Sequence, residues 1–226
     1  MKVVEIFYSL QGEGRLAGRP SVFVRLAGCP LRCKWCDTKY AWPSKCGEPL
    51  SISEIVLRVE EYKCKDVVIT GGEPFGKEEL PELLKELKEK GKYITVETSG
   101  IEFVKGLRID LVSLSPKLSN STPVEYELAL LHEKNRLNKK ALEEFMGNYN
   151  CQLKFVVEQK SDIDEIKQLL SECKNSENAE VMLMPQAADT DEYIERSGQI
   201  AEMCINEGFS FSPRLHVLLW GNKRGV

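Results

Sequence analysis

Three thiols stand at C-x3-C-x2-C spacing in Cys29-Pro30-Leu31-Arg32-Cys33-Lys34-Trp35-Cys36, followed directly by Asp37-Thr38. Thiols this close in sequence can converge on one inorganic centre. A cubane iron–sulfur cluster is held by cysteine thiolates, and three ligands for its four irons leave one iron open to an exogenous chelator. An open iron is a reactive site rather than a plain electron store. The same thiols could instead hold a structural zinc ion, which takes four ligands in a tetrahedron and could recruit Cys46. Spacing alone leaves both centres open.

The elements around this loop must hold it at a mouth. Residues 3–7 and 21–26 read as strands, and the cysteine loop begins where the second ends. Ser51-Ile52-Ser53-Glu54 has capping-box form ahead of a helix through Tyr62. Leu80, Leu83, Leu84 and Leu87 make a helical stripe, as do Ile163, Ile166, Leu169 and Leu170 after a Ser161 N-cap. Residues 66–70, 93–97, 110–114, 153–157 and 181–184 read as further strands, with a helix over about 191–206 and a short strand near 209–211. Strands alternating with helices imply parallel βαβ units. The chain is too short for a closed eight-fold barrel of about 250 residues. The expected fold is therefore α/β, a partial, open (β/α)6-like barrel forming one domain over residues 1–226. Residues 118–150 read as an inserted helical segment or lid.

Four of these strands finish in short polar or Gly/Pro groups: Gly71-Gly72-Glu73-Pro74, Thr98-Ser99-Gly100, Ser115-Pro116-Lys117 and Pro185-Gln186. Ligands bind at the C-terminal strand ends of parallel α/β sheets, so these groups and the cysteine loop should face one mouth.

Composition narrows the function classes. With 226 residues, 42% hydrophobic and 29% charged, the chain has the balance of an ordinary globular domain. A formal net charge of −4 argues against wholesale binding to a phosphate backbone, so a small-molecule substrate is expected and no direct nucleic-acid partner. No signal peptide is expected, and no apolar run approaches the about 18 residues that cross a bilayer. The expected location is cytoplasmic. Eight cysteines in a reducing compartment suggest metal ligands or small buried hydrophobes rather than disulfides. Cys64, Cys151, Cys173 and Cys204 lack ligand spacing and are assigned to packing.

The cysteine spacing together with Gly71-Gly72-Glu73-Pro74 resembles the radical S-adenosylmethionine (SAM) superfamily. Within it, Leu10-Gln11-Gly12-Glu13-Gly14, Cys36-Asp37-Thr38, Glu97-Thr98-Ser99-Gly100 and Ser115-Pro116-Lys117 resemble the 7-carboxy-7-deazaguanine synthase family. The likeness runs from Glu5 to Trp220-Gly221, apart from residues 118–150. It implies that Cys29, Cys33 and Cys36 bind a 4Fe-4S cluster whose fourth iron chelates SAM, and that reductive cleavage of SAM yields a 5′-deoxyadenosyl radical. The implied substrate is 6-carboxy-5,6,7,8-tetrahydropterin, converted with ring contraction and loss of ammonia to 7-carboxy-7-deazaguanine, a precursor of queuosine and archaeosine. The resemblance also implies a homodimer and an external electron donor. Two other functions remain compatible with the cysteine loop, a glycyl-radical-enzyme activase and a zinc-stabilised interaction module.

The same resemblance distributes roles. A pterin edge presents adjacent N–H donors and a carbonyl, which Glu13 and Gln11 could match; the alternative is that both merely decorate a glycine turn. Arg25, near a strand end, could grip the substrate carboxylate bidentately or form a structural ion pair. Thr38 is implied as a Mg2+ ligand, an ion that prefers hard oxygen donors. Gly71 and Gly72 would let the backbone approach the SAM amino group and Glu73 would accept a hydrogen bond from it, although the group also reads as a strand-to-helix turn. Ser115 and Lys117 fall beside the SAM ribose and carboxylate, Gln186 near its adenine, and Thr70 at a strand end facing substrate. His216 resembles a substrate-contacting histidine but equally suits a structural role beside Val217-Leu218-Leu219. His132 reads as solvent-facing or structural.

Overall fold

A computed structural model describes residues 1–221 and 223–226. Its centre is one nine-stranded sheet in the spatial order β3-β1-β2-β4-β5-β6-β7-β8-β9. The strands are β1 (Lys2–Leu10), β2 (Pro20–Leu26), β3 (Glu48–Pro49), β4 (Asp66–Gly71), β5 (Tyr93–Thr98), β6 (Leu111–Leu114), β7 (Cys151–Val157), β8 (Ala179–Pro185) and β9 (Ser210–Phe211). From β2 to β9 every pairing is parallel, while β1 and β3 add an antiparallel flank. The sheet stays open, as the chain length implies, and β1 is longer than the apolar run at its start suggests because its pairing with β2 continues to Leu10↔Pro20.

Among the described residues seven α-helices complete the α/β pattern: α1 (Ile52–Glu61), α2 (Leu80–Glu89), α3 (Tyr126–Asn135), α4 (Lys139–Asn148), α5 (Ser161–Glu172), α6 (Thr190–Glu207) and α7 (Leu215–Trp220). The helix α1 starts with the full Ser51/Glu54 capping box, which satisfies end donors reciprocally. The Leu80, Leu83, Leu84 and Leu87 stripe of α2 is buried to the last residue. Ser161 is the first helical residue of α5 rather than its cap; Asp162 takes up the backbone N–H groups of Glu158 and Gln159 instead.

One hydrophobic core runs from Val3 on β1 to Cys204 on α6, and Cys151, Cys173 and Cys204 pack within it. Within residues 118–150 the two helices differ. Leu142, Phe145 and Met146 of α4 join the core, with the Phe145 ring edge-on to Phe75 at 4.7 Å and to Phe103 at 5.0 Å, so α4 is the crossover helix between β6 and β7. The α3 helix is the surplus element, and His132 is its only buried residue.

Candidate active site

The C-terminal ends of the parallel strands open into one cleft of about 300 Å³. It gathers the cysteine loop, Gln11 and Glu13, the strand ends of β4 to β8 and the α7 segment. Every site residue nominated from sequence lines it except Glu73.

Register explains the gathering. Leu26, where the cysteine loop departs, pairs with Gly71, and Arg25 with Thr70. The N–H of Gly72 donates to Leu26 O and that of Glu73 to Gly28 O, each at 2.9 Å. A Cβ on Gly72 would stand 2.1 Å from Gly28 O, and one on Gly71, whose φ is +127°, 2.3 Å from the Leu26 backbone. Glycine is therefore demanded first by the close approach of two chain segments, not by a ligand.

Glu73 corrects the sequence expectation. Glu73 is 2% exposed and does not line the cleft. Oε1 accepts from Thr98 Oγ1 and Phe75 N, and Oε2 from Ser99 N and Ser99 Oγ. A carboxylate offers about four acceptor positions, so none is left for an amine. Glu73 instead fixes the Thr98-Ser99 end of β5, and those two residues line the cleft.

One wall of the cleft is charged and internally paired. Lys154, 3% exposed on β7, donates to Glu13 Oε2 at 2.6 Å and lies 3.7 Å from Glu97 Oε1. Glu97 also accepts from Gln11 Nε2 (3.1 Å) and Thr70 Oγ1 (2.9 Å). The Arg214 guanidinium reaches Ala187 O, stands 3.6 Å from Glu13 Oε1 and pairs with Asp37 at 2.7 Å. His216 Nε2 lies 3.9 Å from Glu13 Oε1, its ring so close to Gly12 that a Cβ there would meet Nδ1 at 2.2 Å. Burial works to raise the Glu13 carboxyl, but Lys154, His216 and Arg214 hold it far below the usual carboxylate range. Burial would lower the Lys154 ammonium, and Glu13 and Glu97 raise it instead. Burial keeps His216 below its ordinary value despite Glu13. Among the described residues, Arg214 Nε is a buried donor without a hydrogen-bond partner, aimed into this wall.

The other residues are placed but partly engaged. Arg25 binds Glu5 at 2.7 Å and lies over the Phe7 ring, so the ion-pair reading holds for its Nε. Thr38 Oγ1 donates to Asp37 Oδ1 at 2.6 Å. Lys117 donates to Ser115 Oγ at 2.7 Å and stands over the Trp35 ring, while Gln186 accepts from Arg196. Sequence reading missed Lys154, Arg214 and Glu97. The available signal was a lysine inside the apolar run Leu153–Val157, which a strand buried on both faces tolerates only with a partner.

The wall formed by the cysteine loop is apolar. Leu31, Cys33 and Ile101 are buried together, with Cys29, Trp35 and Cys36 packed against them, and all three thiols are free. Burial pushes Cys29 and Cys33 up to about 11 and raises Cys36, so binding of a metal centre must displace thiol protons into solvent. Soft ligands in a dry recess suit an iron–sulfur cluster. Cys46 stands outside the group.

An open parallel sheet with three thiols at its mouth defines the class, the radical SAM enzymes, and the Radical SAM superfamily model matches residues 24–149. The 7-carboxy-7-deazaguanine synthase of Halobacterium salinarum is 39% identical over 235 residues, covering 98% of this chain and 91% of that protein. The enzyme of the same name from Pyrobaculum aerophilum is 37% identical, covering 100% and 97%. The crystal structure of QueE from Escherichia coli superposes with a TM-score of 0.72 at 28% identity, covering 93% of this chain and 92% of that one. The chain belongs to the 7-carboxy-7-deazaguanine synthase family of the radical SAM superfamily. Membership brings a 4Fe-4S cluster, SAM and Mg2+ as cofactors.

Proposed function

We propose that the protein converts 6-carboxy-5,6,7,8-tetrahydropterin to 7-carboxy-7-deazaguanine with loss of ammonia, supplying the 7-deazapurine route. The observation that carries this reading is the juxtaposition, in one cleft, of three free thiols and the Gln11–Glu13 wall. Cys29, Cys33 and Cys36 are the cluster ligands. When bound, the cluster and SAM supply a 5′-deoxyadenosyl radical that takes hydrogen from the substrate carbon C6.

The chain's own residues bind and orient. Glu13, held ionised by Lys154 and Arg214, accepts N–H donors of the pterin edge, and Gln11, anchored on Glu97, borders the same edge. His216 and Thr70 close this recess, and Arg25 faces the substrate carboxylate with the guanidinium nitrogens that Glu5 does not use. Thr38 Oγ1 would hold Mg2+, an ion that prefers hard oxygen donors and would neutralise the substrate carboxylate. Gly71, Gly72, Ser115, Lys117 and Gln186 surround SAM, and Glu73 acts at one remove by fixing Thr98 and Ser99.

We read residues 1–226 as one radical SAM domain with its surplus in 118–150, a reading supported by the single core from β1 to α6. The protein works as a homodimer in the cytoplasm with an external electron donor. Free cysteines fit a reducing compartment, and no helix among the described residues is long and apolar enough to cross a membrane.

The test is anaerobic turnover of reconstituted protein with SAM, reductant, Mg2+ and 6-carboxytetrahydropterin, following product and 5′-deoxyadenosine by mass spectrometry. Formation of both is expected. 5′-Deoxyadenosine without the deazaguanine would sink the substrate assignment and leave the radical chemistry standing.

A further inference from the structure

The cysteine loop makes few backbone hydrogen bonds of its own. Cys36 N donates to Cys33 O and Cys29 N to Trp42 O, which ties the two ends of the loop. Its middle, between the first and last thiols, is held from within by the Arg32 guanidinium, which donates to Cys29 O and Leu31 O, and from outside by the stretch that precedes and includes α3. Arg32 N donates to His132 Nδ1 at 3.2 Å, Lys34 N to Ser121 O at 2.9 Å, and Trp35 Nε1 to Asn120 Oδ1 at 3.3 Å. The two backbone donors flank Cys33, the most buried of the three thiols.

His132 is not solvent-facing. It is 1% exposed, and its two ring nitrogens have different partners. A backbone N–H can only donate, so Nδ1 accepts and the ring proton resides on Nε2, which donates to Ser121 Oγ at 2.8 Å. The Ser121 hydroxyl in turn donates to Leu118 O at 2.6 Å. The chain of donors has one consistent direction, from the cysteine loop through the imidazole to the turn after β6. That turn is itself anchored, because Asn120 Nδ2 binds Val156 O and Asp162 Oδ2, and Arg136 ties the end of α3 to Lys117 O and Glu165.

We propose that His132 is a positioning residue for the iron–sulfur centre: its Nδ1, oriented by Ser121, fixes the loop backbone beside Cys33 so that the three thiols are set before the cluster arrives. The proposal rests on the assignment of Cys29, Cys33 and Cys36 as cluster ligands. It gives the stretch 118–136 a task that the pterin-facing wall does not share. Partners beyond the direct ligands typically change metal affinity about 10–100-fold when removed. The same scale applies to a backbone amide that would otherwise be left buried and unpaired.

Two substitutions separate positioning from packing. His132→Phe keeps a ring of similar size and removes the acceptor, whereas His132→Asn shrinks the side chain and keeps an acceptor where Nδ1 stands. Each full-length variant is reconstituted anaerobically, and three quantities are read: iron and acid-labile sulfide per chain, the rate at which an iron chelator bleaches the cluster absorbance, and the melting temperature of the apoprotein. We expect the phenylalanine variant to bleach about tenfold faster than wild type and the asparagine variant to stay near the wild-type rate. The reverse order, or equal rates in all three proteins, overturns the positioning role. If the phenylalanine variant does not fold, the asparagine variant decides: retention near wild type supports the proposal, and a tenfold faster loss at unchanged melting temperature overturns it. A wild-type protein that takes up no iron refutes the ligand assignment itself and the clamp with it.

Discussion

The two walls of the cleft solve opposite problems. The wall built from Glu13, Glu97, Lys154 and Arg214 is rich in charge, yet each carboxylate already faces a cation, so its electrostatics are settled within the protein. The wall built from Cys29, Cys33 and Cys36 is apolar, and burial raises its thiols although the Lys117 ammonium, over the Trp35 ring, works the other way on Cys33. Among the described residues, the first leaves only the buried Arg214 Nε without a hydrogen-bond partner; the second is completed by a guest. Preorganised recognition and cofactor-dependent assembly thus share a cleft but differ in what their residues need.

Removing a thiol breaks the contrast most severely. Cys33→Ala should abolish cluster retention and all turnover while leaving the apoprotein folded, as read by iron analysis beside circular dichroism. The corresponding lesion on the charged wall acts on the fold itself. Lys154→Met leaves Glu13 and Glu97 facing each other without their buried cation, which should cost about 3 kcal/mol in denaturant unfolding of the apoprotein. An apoprotein as stable as wild type would show that solvent, not Lys154, balances the two carboxylates.

Glu13→Gln sharpens the comparison at the level of binding. Loss of a charged hydrogen-bond acceptor should lower kcat/KM for the pterin about 10–100-fold, chiefly through KM, with iron content unchanged. It carries a pH signature too. The folded Glu13 carboxyl sits below its ordinary value of 4.5, so the unfolded chain binds the proton first as pH falls. Stability from this group is therefore present above about pH 4.5 and lost progressively below it, and the glutamine variant should show a shallower fall in melting temperature over that acid range. The smallest effect is expected at the seam between the walls. Asp37, about half exposed, links Arg214 to the end of the cysteine loop, and Asp37→Asn should cost about 0.5 kcal/mol of stability.

The same division governs what could be read from the sequence. The cysteine loop was legible because its three thiols lie within eight residues, and the mouth was legible because strand after strand ends in Gly, Pro, Ser or Thr. These are local patterns, set by backbone geometry. The charged wall was legible at Gln11, Glu13, Thr70 and His216 but not at its cations, since Lys154 is 141 positions from Glu13 and Arg214 is 177 from Asp37. Pairings of that span are created by sheet register, which the apolar run around Lys154 does not reveal. The bracing by Glu73 was hidden for a related reason. Its partners Thr98 and Ser99 belong to the end of the next strand, an adjacency that only the sheet creates. Residues 118–150 read as one inserted helical segment or lid, yet α4 carries an apolar face on the core and α3 does not.

The contact between Gly72 and Gly28 has an evolutionary corollary. Side chains at Gly71 and Gly72 are excluded by the chain's own backbone, whatever the cleft holds. A descendant that abandoned radical chemistry would be free to lose its cysteines within few generations of drift, but it would have to keep the glycine pair to keep its sheet. Among diverged descendants, surviving glycines would therefore mark shared ancestry, and only the surviving thiols would mark a working enzyme.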